Sequence, residues 1–191
     1  DLMNTLPPKT RFLPYCHVDL NYWCPRKDKG GGNREILRIG HAPSNRQVKG
    51  TQEILDVIKQ LKINFEERFE FVLIENVDHE DAMRLYDSID ILIDQIYVGW
   101  YGGLAVEAMA LGKPVLCYIR ESDLRFIPQE MAQDLPVINV ESNTLLTVLS
   151  SMIEMPREQL LELGRRSRSY VEKWHCPTKV VQQLIEGMNL K

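Results

Sequence analysis

Between Asp94 and Cys117 the chain reads DQIYVGWYGGLAVEAMALGKPVLC, and this segment holds most of its chemistry. Gly99, Gly102 and Gly103 precede a helical pattern that contains a single acid, Glu107. Glycines ahead of a helix let a ligand approach the backbone, and the helix's free N–H groups and positive dipole end favour an anion. Glu107 lies about one turn inside that helix, where a carboxylate can accept hydrogen bonds from hydroxyls attached to the anion. The backbone of Gly102, Gly103 and Leu104 is therefore a candidate anion contact, and Glu107 a candidate hydroxyl acceptor. Trp100 and Tyr101 are further candidates, because large aromatics at a loop tip are unusual. Packing against a neighbouring loop is the plainer alternative for both. Asp94, after the apolar run Ile89 to Ile93, is a site candidate at the end of a strand.

A second loop, HAPSNRQVKG from His41 to Gly50, places Arg46 and Lys49 just before a helical pattern. Two cations beside a helix start can hold a diphosphate, whereas the bland alternative is a solvated loop. The loop is not a P-loop, since Lys49-Gly50-Thr51 has no glycine at the required distance, and GWYGGL is not GxGxxG. The stretch IDILID lacks the Asp-x-Asp expected of a metal-dependent phosphatase. Cys16, Cys24, Cys117 and Cys176 form no C-x-x-C and no cluster with histidine, so no metal site is expected, and reduced thiols fit a cytosolic compartment. His17, His79 and His175 have no catalytic context in the sequence. Arg165, Arg166, Arg168 and Lys173, interleaved with Glu158, Glu162 and Glu172, read as a solvated helix face.

These loops need elements to hold them. The 191 residues suit one ordinary domain with an appendage, and 44% hydrophobic residues are enough for a core. A net charge of −4 leaves no basic excess for neutralising nucleic-acid phosphates. No run of about 18 apolar residues and no signal-peptide pattern occurs. Residues 1–34 read as irregular, with Pro7, Pro8, Pro14 and Pro25, one short extended piece from Arg11 to Leu20, and the polar linker RKDKGGG. From residue 35 the pattern alternates. Strands are expected at Ile36–Ile39, Phe69–Ile74, Ile89–Ile93, Val115–Ile119 and Val137–Val140. Helices are expected over Thr51–Lys62, after an Asp78 cap, over Leu104–Leu111, after an Asn143 cap, and from Pro156 and Pro177. Such alternation predicts an α/β fold, a Rossmann-like parallel sheet with helices on both faces, whose ligands bind beyond the carboxyl ends of the strands.

The succession HAPSNRQVKGTQEIL, HEDAMRLYDSIDILIDQ and GWYGGLAVEAMALGKPV resembles the C-terminal half of bacterial glycosyltransferases of the group 1/family 4 type, with the GT-B fold. AVEAMALGKPV is its most specific piece, and LPYCHVDLNYWCP (Leu13 to Pro25) is similar to the family's interdomain linker, commonly LPN-x-VD-x-x-x-F-x-P. The resemblance covers about nine tenths of the chain, from Phe12 onward. It implies that residues 1–34 end an N-terminal domain and its linker, and that residues 35–191 form the nucleotide-sugar donor-binding domain. It implies that Lys49 meets the donor diphosphate, that Ser44 stands where the family has an arginine, with Arg46 the nearest guanidinium, and that Glu107 is the second acid of Glu-x7-Glu, on the ribose.

The first acid of that motif is Gly99 here, so its contact with the donor sugar passes to Asp94, Gln95 or the missing domain. FEFVLIENVDHEDAMRLY also moves from a strand almost directly to the next helix, where the family usually has another helix and strand. The expectation is sugar transfer from a nucleoside diphosphate sugar, with retention, in cell-envelope polysaccharide or glycoconjugate synthesis. No metal or cofactor is expected beyond that donor. The implied partner is the N-terminal acceptor domain, the setting the cytoplasm or the inner face of the membrane, with peripheral membrane association of the full-length enzyme. A sugar-nucleotide epimerase of the same fold, with His41 as its acid/base candidate, and a non-catalytic donor-binding module stay open. A dinucleotide oxidoreductase is more distant, because GxGxxG is absent.

Overall fold

The computed structural model describes Pro7, residues 10–25 and residues 36–188 of the chain. The linker RKDKGGG, Pro8 and the boundary at residues 34 and 35 lie outside the described residues. Five parallel strands form one sheet in the order β2-β1-β3-β4-β5. They are β1 (Leu37–His41), β2 (Phe69–Leu73), β3 (Ile91–Gln95), β4 (Val115–Cys117) and β5 (Ile138–Asn139). All five residues of β3 are buried, as a strand covered on both faces requires.

The chain runs from β1 to β2 on one side and then crosses to β3 on the other, with Ile39 paired to Phe71 of β2 and to Ile91 of β3. The strand order thus reverses between β1 and β3, and a crevice opens outside their carboxyl ends. The helices are α1 (Arg46–Lys49), α2 (Thr51–Phe65), α3 (His79–Ser88), α4 (Gly103–Ala110), α5 (Gln129–Asp134), α6 (Leu145–Glu154), α7 (Arg157–Trp174) and α8 (Pro177–Gly187). A 3-10 turn, Glu121–Phe126, precedes α5.

Each sheet face carries its own core. Ile54, Val57, Ile58 and Leu61 of α2 pack with Leu145, Leu149 and Met152 of α6 on one face. On the other, α4 packs with Tyr170, Val171 and Trp174 of α7. Five of the eight residues of α4 are buried, which suits a helix that is apolar nearly all round. A Cβ on Gly164 of α7 would lie 2.1 Å from the carbonyl oxygen of Gly112, so glycine alone permits that approach. Val18 and Trp23 join this core and dock the segment 10–25 onto the domain. Arg168 fastens it by donating to the carbonyls of Leu20 (3.1 Å), Trp23 (2.5 Å) and Ala110 (2.7 Å).

Several local expectations shift. Arg168 is thus a staple between segments and not part of a solvated basic face. Segment 11–19 contains no strand. The observed β1 and β3 both run further than the apolar runs, taking in His41, Asp94 and Gln95, because these polar side chains find buried partners. Asp78 caps α3, accepting from the Asp81 N–H at 2.8 Å. Asn143 does not cap α6: the helix starts at Leu145, whose N–H donates to the Glu141 carbonyl, while the Thr144 hydroxyl accepts from the Glu141 N–H. The direct passage from β2 to α3 is as the sequence indicates. Among the described residues no helix is long and apolar enough to cross a membrane.

Candidate functional site

A cleft of about 520 Å³ lies at the reversal of strand order. Its walls are the loop after β1 (Ala42, Pro43, Ser44), Lys49, the loop after β2 (Ile74 to Val77), Ala82 and Tyr86 of α3, and Gly102, Gly103, Leu104 and Glu107 at the start of α4. Lys49 reaches it through a short, well-defined helix. The Asn45 side chain caps α1 by accepting from the N–H groups of Gln47 and Val48, each at 3.0 Å. Gly50 ends it in the left-handed region, φ 72°, where a Cβ would also meet Ile96 at 2.4 Å.

Lys49 forms an ion pair with Asp94, whose side chain is fully buried. The other Asp94 oxygen accepts from the Gly102 N–H at 2.9 Å. One carboxylate therefore holds both the ammonium and the turn that begins α4. The ammonium lies close to that turn, 3.7 Å from where a Cβ on Gly102 would be. No side chain caps the first turn of α4, since the N-cap is Gly102. Its leading N–H groups and dipole stand beside the Lys49 cation, an arrangement that favours an anion. Glu107, one turn further along, is partly buried; burial of the Tyr86 phenol, and then the Glu107 charge, raises that phenol above its ordinary value.

The remaining sequence candidates are placed differently. Arg46 commits its fork to Glu75, with Nε–Oε1 2.8 Å and Nη2–Oε2 2.5 Å, and this pairing lowers the Glu75 carboxyl and raises the guanidinium. Ser44 is exposed on the rim. Asp94 faces Lys49 and Gly102 in the interior and does not line the cleft, so it is no direct sugar contact in this arrangement. Trp100 and Tyr101 do not line the cleft either. Their rings stack on one another at 4.7 Å, and Trp100 meets Phe12 edge-on at 6.2 Å. Tyr101 is buried, with its hydroxyl 3.0 Å from that of Tyr170 and 3.1 Å from His175 Nε2.

His41 is fully buried as well. Its Nδ1–H donates to the Ile93 carbonyl at 2.8 Å, which leaves Nε2 to accept from the Thr51 hydroxyl at 2.9 Å. Burial lowers its pKa, so the ring is a neutral bracket between β1, β3 and α2.

Two contributors, Asn76 and His17, escaped the sequence reading, and Gln95, named there for the donor sugar, has a different part. Gln95 ties the glycine loop together: its amide donates to the Trp100 (2.8 Å) and Tyr118 (3.1 Å) carbonyls, and its oxygen accepts from the Tyr97 and Val98 N–H groups. Asn76, in the left-handed region at φ 54°, shapes the opposite wall, and asparagine's tolerance of that region was the available signal. His17, from the segment before the domain, brings Nε2 to 3.3 Å from Glu107 Oε1, which nothing in the local sequence foretells. Among the described residues no three His, Cys, Asp or Glu side chains group as metal ligands would.

No protein-family model matches the chain, and no curated protein matches it in sequence. Solved structures do match. One is the C-terminal domain of a glycosyl transferase group 1 family protein from Francisella tularensis, with TM-score 0.61, 16% identity, and coverage of 83% of this chain and 98% of that one. A sucrose-phosphate synthase from Thermosynechococcus elongatus gives TM-score 0.65 and 18% identity over 93% of this chain and 51% of that one. The Anabaena protein HepE, solved in complex with UDP-glucose, gives 0.60 and 15% over 90% of this chain and 55% of that one. The chain thus spans about half the length of the latter two. Its five-stranded parallel sheet, with helices around it, has the Rossmann-like fold of the C-terminal domain of GT-B glycosyltransferases.

Proposed function

We propose that this chain is the donor-binding domain of a glycosyltransferase that moves a sugar from a nucleoside diphosphate sugar to an acceptor. The carrying observation is the meeting, in one cleft, of Lys49, the uncapped start of α4 and Glu107. The first two suit a diphosphate and the third suits ribose hydroxyls, and a nucleoside diphosphate sugar carries both groups. The ligand class is supported by HepE, solved with UDP-glucose, and by a Staphylococcus aureus TarM variant, solved with UDP.

In the reaction the bond from the anomeric carbon to the diphosphate oxygen breaks, a bond to the acceptor oxygen forms, and the acceptor hydroxyl releases its proton. Negative charge grows on the departing diphosphate, where the Lys49 ammonium and the α4 dipole are already oriented to stabilise it. The proposal assigns this role to those groups and not to a metal ion. Arg46 would join only by leaving Glu75. The acceptor would bind a second, N-terminal domain, a reading supported by the length of the two larger similar proteins. Retention at the anomeric carbon, a role in cell-envelope polysaccharide or glycoconjugate synthesis, and work at the cytoplasmic face of the membrane with peripheral attachment complete the proposal. These rest on the family resemblance alone.

An epimerase would need an acid or base in the cleft, and its candidate, His41, is buried with both nitrogens bonded. The test is a turnover assay of the full-length protein with a panel of nucleotide sugars, scoring released nucleoside diphosphate and glycosylated product. Acceptor-dependent release is expected. The paired variant Lys49→Met with Asp94→Asn should lower kcat by about 100-fold, the usual scale for one lost electrostatic contact to the leaving group. Epimerised nucleotide sugar without acceptor would instead show the epimerase. Binding with no turnover would show a binding module.

A further inference from the structure

His17 has no role in the proposed reaction, yet it is held in place as firmly as the cleft itself. Two residues before it, the Tyr15 carbonyl accepts from His175 Nδ1–H at 2.8 Å. Immediately after it, Val18 is fully buried in the α4–α7 core. Trp23 and the Arg168 contacts fix the rest of the segment. The backbone at His17 is thus pinned from both sides, and the ring is presented to α4.

There it covers two positions that share one helix face, since residues four apart are neighbours. The ring's Cε1 and Nε2 lie 3.2 and 3.3 Å from where a Cβ on Gly103 would be, and Nε2 lies 3.3 Å from Glu107 Oε1. Any side chain at position 103 would press on the imidazole, so the glycine admits the ring as well as a ligand. Among the described residues, the Tyr15 ring meets His17 edge-on at 6.1 Å, and His17 acts electrostatically on His175. Glu107 is the carboxylate within reach of Nε2. The neutral Nε2–H tautomer and the imidazolium can both donate to it.

We propose that His17 is a positioning residue for Glu107, given the reading of Glu107 as a ribose-hydroxyl acceptor on which this inference rests. By donating Nε2–H to Oε1, it fixes the orientation in which the carboxylate meets a hydroxyl of a ligand whose phosphates lie at the start of α4. The segment that leads into the domain therefore helps build the donor cleft, and His17 sets how strongly the cleft distinguishes a ribose from a 2′-deoxyribose.

The test compares, in the full chain, dissociation constants for UDP, GDP and ADP and for their 2′-deoxy counterparts. Wild type, His17→Ala, His17→Gln and Glu107→Ala are titrated, with thermal unfolding of each as a control. The expected wild-type preference for the ribo form is roughly tenfold or more, as for one hydrogen bond to a charged group. It should fall several-fold in His17→Ala and return in His17→Gln, whose amide can donate from a similar reach. A merely structural role would weaken both forms equally and leave the ratio unchanged, which overturns the inference. If Glu107→Ala removes the preference and His17→Ala does not, only the His17 role fails. If wild type shows no preference, or binds none of the six, the reading of Glu107 fails and His17's role with it.

Discussion

Asp94 holds the Lys49 ammonium and the Gly102 N–H, accepts a long contact from the Cys117 thiol at 3.9 Å, and has no exposed surface. Replacing Lys49 with Met strands a buried carboxylate, so stability should fall by about 3–5 kcal/mol in urea unfolding. Adding Asp94→Asn removes the lone charge and keeps an acceptor for Gly102, and the double variant should recover most of that loss. Glu107→Ala, at a partly exposed side chain, should cost under about 1 kcal/mol in the same assay. That Gly102, Gly103 and Glu107 would share one wall of a cleft was legible because the pattern is local, glycines before a helix with an acid one turn in, and Lys49 because its loop leaves the same edge of the sheet. Asp94 was legible as a residue but not in its role, because burial depends on β3 running on to Gln95. His17 was not legible at all, since a contact between distant segments leaves no trace in local spacing. Trp100 and Tyr101 follow the plainer of their two readings, packing, with Tyr101 buried and Trp100 half-buried against the core.

At the scale of elements, the close approach of α4 and α7 sets the depth of the site. Gly164→Ala would push a methyl group into the Gly112 carbonyl, where only backbone can yield. The expected outcome is a loss of about 2–4 kcal/mol by chemical denaturation, in the range of overpacked interiors and beyond ordinary helix propensity, which alone would favour alanine. An unchanged midpoint would show that the helices can separate at no cost. The strand–helix alternation was readable because apolar runs and 3.6-residue periodicity are strong local signals. The 3-10 turn and α5 were not anticipated, being short and without a sustained apolar stripe. The end of β3 was displaced because tertiary hydrogen bonds of Asp94 and Gln95 set it, and the start of α6 because a turn between Glu141 and Thr144 does.

For the whole molecule, His175 joins the entry segment, the glycine loop and α7 through Tyr15, Tyr101 and Tyr170. Burial lowers its pKa from 6.5 to about 4. The unfolded chain therefore binds the proton first. The associated stability is fully present above pH 6.5 and is lost as pH falls towards 4, about 3 kcal/mol in all. Burial of His41 lowers its pKa too and adds in the same direction. Urea midpoints taken between pH 7 and pH 4 should fall steeply in wild type and less steeply in His175→Gln. The most direct test of the donor-cleft account is calorimetric titration of the chain with UDP, GDP and ADP, beside Glu107→Ala. The account predicts saturable binding of at least one nucleotide, weakened roughly tenfold in the variant, as for loss of a hydrogen bond to a charged acceptor. Equal affinity in wild type and variant, or no binding of any nucleotide, would contradict it.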